Sequence, residues 1–250
     1  MIYTKDVAYA YSEMLSLQVD ISLPFEKPFF INDEWESSNI IFDFGCGNAE
    51  YIKRLSLMYP NKKFYAYEID PEMRKNAKEN TKNISNIKIL TMDELNKFNQ
   101  KVDFFIFRLV LLHLSDRNEG YQFISKIGNI SCKVLVIDAD DEYFLAKPEP
   151  KLFFKTLSEL RDKSKDRNLM LKVSEELLLY DMKEVFSSRI IINNHFPHAH
   201  DKMWKYMYYT AELSLDGKIP NNLKDELVTW YLNKSYIQYG IFGKIYIKES

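Results

Sequence analysis

From residue 39 to residue 139 the chain alternates short apolar runs with stretches of helical spacing. Residues 39–44, 63–68, 86–91, 102–108 and 133–139 are near-continuous apolar runs, the pattern of strands covered on both faces. Residues 48–58, 71–81 and 116–128 read as helices between them, and 93–97 as a turn or short helix. Asp70 stands as the N-cap of a helix opening at Pro71, where the missing N–H is harmless, and Ser115-Asp116 caps the later one. Strand–helix alternation predicts a parallel sheet with right-handed crossovers. After Asp140 the rhythm changes: helices are predicted over 151–163 and 170–182, a strand over 188–196, aromatic helices over 201–214 and 221–235, and a last strand over 240–248. Residues 1–37 read as helix and loop, with Tyr9, Tyr11, Met14 and Leu15 on one apolar face and Pro24 and Pro28 breaking the segment.

The connection after the first predicted strand carries the chemistry. Residues 41–49 read Ile-Phe-Asp-Phe-Gly-Cys-Gly-Asn-Ala. Gly45 and Gly47 let a ligand approach bare backbone and meet amide N–H groups at a helix N-terminus. The second predicted strand ends in an acid, Glu68. A glycine loop under one end and a carboxylate for ribose hydroxyls suit a nucleoside. Two features depart from a dinucleotide fingerprint: Glu50 stands where the third glycine belongs, and Asp43 precedes the loop. An anion there repels a pyrophosphate and attracts a cation.

Asp43-Phe-Gly-Cys-Gly-Asn-Ala49 followed by a strand-end acid resembles motif I and the acidic loop of class I S-adenosylmethionine-dependent methyltransferases, over roughly residues 38–140. The resemblance implies a three-layer α/β, Rossmann-like fold: seven strands, mostly parallel, with an antiparallel edge strand. Where the family joins its last two strands in a hairpin, this chain inserts residues 197–239, and these, with the N-terminal helix, read as a helical cap; the chain then divides into an N-terminal helical cap segment (1–38), a cofactor-binding core (39–196 and 240–250) and an aromatic helical insertion (197–239). The implied cofactor is S-adenosyl-L-methionine, leaving as S-adenosyl-L-homocysteine. Asp43 would then meet its ammonium, with Gly45, Cys46 and Gly47 against the methionine part, Cys46 only packing. Glu68 would accept from the ribose, Ile69 and Met92 would cover the adenine, and Asp93 would bind its amino group. The backbone around Phe107 and Arg108 would border the tail, and Arg108 would pair with its carboxylate or with an acidic acceptor. Each has a structural alternative: a plain turn at the glycines, a surface acid at Glu68, a helix cap at Asp93, an ion pair at Arg108.

Acceptor-side residues are less marked. His113, in Leu-Leu-His-Leu, is a candidate general base or a packed side chain. A sulfonium is already activated, so alignment alone can supply much of the rate. His195, His198 and His200 invite a metal reading, but a proline interrupts them and no carboxylate or thiolate stands at a familiar zinc spacing. The expectation is no metal, with His195 a second catalytic candidate and His198 beside the acceptor, the structural alternative being a plain polar loop. Trp204 and Tyr208 share a helix face that either packs the cap or lines an acceptor pocket, and Tyr11 joins them from the N-terminal segment.

Thirty-four basic residues against 36 acidic give a net charge of −2, which argues against a nucleic-acid footprint. No apolar run reaches the ~18 residues of a membrane span. Cys46 and Cys132 make no disulfide framework, so a reduced, cytoplasmic setting is expected. No Asn-Pro-Pro-Tyr-type loop follows the fourth strand. The reading is methyl transfer to an oxygen or nitrogen of a small-molecule acceptor, by a monomer or homodimer. The rivals are a non-catalytic partner of an active methyltransferase, other chemistry with the same cofactor, and a dinucleotide oxidoreductase.

Overall fold

The computed structural model describes residues 5–114, 116–162, 169–196 and 198–249. Ser115 lies outside them; Asp116 accepts from the Asn118 amide at the start of the helix it was expected to cap. The elements run α1 (Lys5–Ser22), two 3-10 turns, α2 (Asp33–Glu36), β1 (Ile40–Phe44), α3 (Glu50–Met58), β2 (Lys63–Tyr67), α4 (Pro71–Thr81), β3 (Ile87–Leu90), α5 (Met92–Asn96) and β4 (Val102–Arg108). A 3-10 turn, Leu111–His113, leads to α6 (Asn118–Ile127), β5 (Gly128–Lys147), α7 (Lys151–Asp162), α8 (Leu169–Leu178), β6 (Met182–Asn193), α9 (Ala199–Ser214), α10 (Asn221–Leu232) and β7 (Tyr236–Lys248).

The seven strands form one sheet in the order β3-β2-β1-β4-β5-β7-β6. β3 through β5 pair in parallel, and β7 enters antiparallel between β5 and β6. The period-two pattern sorts neighbours to opposite faces. Ile41 and Phe104 join the core on one side, with Trp35, Met207 and Trp230, while Phe42 and Phe105 join the other, with Val173 and Tyr246.

Two strands depart from the sequence reading. β5 runs to Lys147 because β7 continues beside it, pairing Leu145 with Gln238 and Lys147 with Tyr236 after an irregularity past Asp140. The run Asp138-Ala-Asp-Asp-Glu142 conceals this strand, since acids are depleted in sheets. β6 begins at Met182, where a helix was expected, and ends at Asn193. α8 stops at Leu178 and Asp181 adopts a left-handed conformation (φ 59°), releasing the chain into the edge strand. No helix among the described residues is long and apolar enough to cross a membrane.

α1 packs along α9 and touches α3, so the N-terminal segment lies over the loop that follows β1. α9 and α10 occupy the connection between β6 and β7 and pack with α7.

Candidate functional site

Strand register places Asp43 between Ala66 of β2 and Ile106 of β4, one residue before the end of β1. It is only 3% exposed, and no hydrogen bond joins its carboxylate to the described residues. Burial pushes its carboxyl up to about 7; Arg108 opposes the shift and Glu68 adds to it. A buried acid without a donor is costly, and it becomes favourable when a cation arrives.

The glycine loop is fixed by protein on all sides. Gly45 has φ 77° and Gly47 φ 55°. A Cβ on Gly45 would stand 2.3 Å from a methyl of Val110, and one on Gly47 2.6 Å from Leu15 of α1. The amides of Gly45, Cys46 and Gly47 are satisfied by the protein itself, which the sequence reading did not anticipate. Gly45 and Cys46 N–H both donate to the Tyr67 carbonyl (2.9 and 3.1 Å), and Gly47 N–H donates to Glu68 Oε2 (2.9 Å). An incoming ligand therefore meets carboxylates and close Cα surface rather than a ring of free donors. That arrangement suits a cation and disfavours a pyrophosphate. Cys46 is buried, and desolvation together with Asp43 and Glu68 pushes its thiol well up, so it packs as a neutral group.

Glu68 follows β2 and bridges two backbone segments, accepting also from the Asp70 N–H through Oε1 (2.9 Å). Each oxygen keeps acceptor capacity for a further donor. Asp70 caps α4 through Met73 N–H (2.9 Å), with Pro71 at the first turn, as the sequence predicts. Beyond it, Ile69 is 71% exposed, and Met92 and Asp93 are exposed at the start of α5. The N-cap of α5 is Thr91, in a capping box with Glu94, which leaves the Asp93 carboxylate uncommitted to that role. A groove of about 750 Å³ runs alongside, bordered by Pro71, Arg74, Lys75, Lys78 and Thr91.

At the end of β4, Phe107 is fully buried and stacks on Phe44 at 5.3 Å, so only its backbone is available to a ligand. Arg108 is ion-paired with Glu26, through Nη2 at 3.1 Å and Nε at 3.2 Å, and donates to Ser22 Oγ at 2.7 Å. Its Cζ lies over the Tyr51 ring, 4.4 Å from the centroid. Leu109, the next residue, takes a left-handed conformation (φ 56°), as does Ala49 at the start of α3 (φ 61°). Two non-glycine residues in the left-handed region thus flank one crevice, a conformation that costs on the order of 1–3 kcal/mol each. Glu26, Ser22 and Tyr51 were not legible in the sequence: a lone acid between two prolines carries no signal.

The acceptor-side candidates scatter. His113 is exposed on its 3-10 turn. His195 is exposed beyond β6, edge-on to Tyr236 at 5.0 Å, and His198 is exposed at φ 62° before α9. Trp204 donates to the Leu227 carbonyl of α10 (3.1 Å) and packs on Tyr231 and Tyr208. Trp204 thus joins α9 to α10, with Tyr208 packed beside it on α9. Tyr11 lies half-buried on α1. Tyr206 instead stacks on Tyr239 of β7, whose hydroxyl feels both Arg108 and Glu26.

Residues 36–214 match a family model described as a methyltransferase domain. No curated protein sequence matches the chain. Among solved structures, a candidate methyltransferase from Bacillus halodurans aligns with a TM-score of 0.56 at 11% identity, over 92% of this chain and 99% of its own. The O-methyltransferase from a trans-AT PKS multienzyme of Brevibacillus brevis, solved with S-adenosyl-L-homocysteine, aligns at 0.53 and 14% identity, over 99% and 80%. A candidate sarcosine dimethylglycine methyltransferase from Galdieria sulphuraria aligns at 0.51 and 13%, over 84% and 78%. At these identities the likeness establishes the fold.

Proposed function

The chain belongs to the class I S-adenosylmethionine-dependent methyltransferases, and on that premise we propose that it methylates an oxygen or nitrogen of a small-molecule acceptor. The single observation that carries the site is Asp43: a buried carboxylate with no donor among the described residues, beside a loop whose Gly45, Cys46 and Gly47 amides are already bonded.

S-adenosyl-L-methionine supplies an electrophilic methyl group on a sulfonium. Asp43 accepts from the ammonium of its amino-acid tail, and Gly45 and Gly47 permit the close approach. Glu68 accepts from the ribose hydroxyls while its other lone pairs keep the loop in place. Ile69 and Met92 cover the adenine, and Asp93 accepts from its amino group. Arg108, with the backbone of Phe107, borders the tail carboxylate. The N-terminal segment (1–38) and the insertion (197–239) act as a cap that excludes water and selects the acceptor. Tyr11, His198, Trp204 and Tyr208 contribute to that cap. His113 or His195 takes the acceptor proton where the acceptor needs a base; otherwise alignment suffices. Balanced charge supports a small acceptor over nucleic acid, in a monomer or homodimer.

Calorimetric titration with S-adenosyl-L-methionine, S-adenosyl-L-homocysteine and NAD tests the reading. Binding of the first two and not the third, lost in Asp43→Asn, is expected. Equal binding by Asp43→Asn overturns the placement of the ammonium.

A further inference from the structure

Four donors converge on the fully buried carboxylate of Glu26. They are Ser22 Oγ (2.6 Å), Tyr51 Oη (2.7 Å), and Nε and Nη2 of Arg108. Ser22 ends α1, Tyr51 lies on α3 and Arg108 ends β4, so one acid joins three elements that bound the crevice. A buried ion pair is a poor stabiliser, because desolvating both charges offsets most of their attraction and an apolar pair of similar volume packs as well. Charge retained here points to a use for the charge itself. Arg108 commits Nε and Nη2 to Glu26 and Ser22, and Nη1 makes no hydrogen bond to the described residues. Asp43 pairs with Ile106 of β4, two residues before Arg108 and on the same face of the sheet, so the guanidinium acts on its carboxyl.

We infer that Glu26 is a positioning residue of the methyl-transfer site: by fixing Arg108 and offsetting its charge, it sets how readily Asp43 receives the cationic end of the methyl donor. The inference rests on the assignment of Asp43 to the donor's ammonium. The charged and titratable groups around Asp43 are Glu68 after β2, Cys46 in the loop, Tyr51 on α3 and Arg108 on β4. Glu26 and Tyr239 act on the guanidinium from behind. With Glu26 neutral, the field of Arg108 at Asp43 is uncovered and Asp43 ionises at lower pH.

The test is calorimetric titration of the full chain with S-adenosyl-L-homocysteine across neutral pH, for wild type, Glu26→Gln, Glu26→Asp and the double variant Glu26→Gln/Arg108→Gln. The pH midpoint of affinity is expected to fall by roughly half a unit or more in Glu26→Gln. It should return toward wild type in Glu26→Asp and rise above it in the double variant, which loses the nearer cation as well. A merely structural role weakens binding without moving the midpoint. If Glu26→Gln does not fold, the double variant, with no uncompensated charge, is read against Arg108→Gln alone, and a lower midpoint in the double variant is expected. A wild-type midpoint in folded Glu26→Gln, or equal midpoints in the double variant and Arg108→Gln, overturns the inference. Absence of binding by the wild type overturns the donor assignment itself, and this inference with it.

Discussion

Asp43 and Glu68 are two acids at adjacent strand ends with opposite needs. Glu68 is satisfied by two backbone amides, and Asp43 by none among the described residues. The consequences have a definite sign. Asp43 titrates at about 7 in the folded protein against 3.8 ordinarily, so the fold favours its protonated form. Stability from this group is present below pH 3.8 and is lost as pH rises toward about 7. Asp43→Asn should therefore stabilise the ligand-free protein above neutrality by on the order of 2–4 kcal/mol while removing cofactor binding. Chemical denaturation at two pH values, beside calorimetry, reads both effects. Cofactor affinity in the wild type should fall about tenfold per pH unit below the Asp43 midpoint, with proton release on binding. Calorimetry in two buffers of different ionisation enthalpy detects that proton. Glu68→Ala should weaken cofactor binding by ~1.5–3 kcal/mol and, by stranding two amides, lower stability by ~1–3 kcal/mol. Unchanged affinity in the folded variant would contradict the ribose contact.

At the scale of elements, the N-terminal helix is tied down at spaced points. Asn48 Nδ2 donates to the Ser12 carbonyl (2.8 Å), Ser12 Oγ (3.1 Å) and Ser16 Oγ (2.9 Å). Asp20 pairs with Arg54 of α3 and with Lys202 of α9. Asn48→Ala should loosen α1 from the loop, costing about 1–2 kcal/mol. Hydrogen exchange over Lys5–Ser22 should accelerate and be slowed again by S-adenosyl-L-homocysteine. Exchange that is unaffected by the substitution would mean that Leu15 and Asp20 hold the helix unaided. The strands and helices of the first half follow their sequence signals closely. α4 occupies 71–81 and β4 occupies 102–108, as the pattern predicts. There the apolar period, the cap and the proline all agree. β5 and β6 escape because pairing along β7 supplies what their local sequence lacks.

For the molecule as a whole, ligand binding and fold stability are linked, because the crevice gathers α1, α3, β1, β2 and β4. Cofactor at about one hundred times its dissociation constant should add ~2.7 kcal/mol and raise the melting temperature by roughly 5–11 °C. NAD should leave it unmoved, which differential scanning fluorimetry reads directly. The connection between β6 and β7 belongs to the same assembly: α9 packs on α1, and Tyr206 stacks on Tyr239 within reach of the Arg108 charge.

The sequence by itself determined the parallel αβ core, the glycine loop and the two acids at its rim. Those features are written in local periodicity and in residues whose backbone freedom or charge is unusual wherever they stand. Only the tertiary structure decided that the loop's amides are already bonded, that Leu15 and Val110 press on its glycines, and that Glu26 receives Arg108 across 82 residues of sequence. Hydrogen-bond satisfaction and ion pairing are properties of atoms brought together from distant segments, and no window along the chain contains both partners.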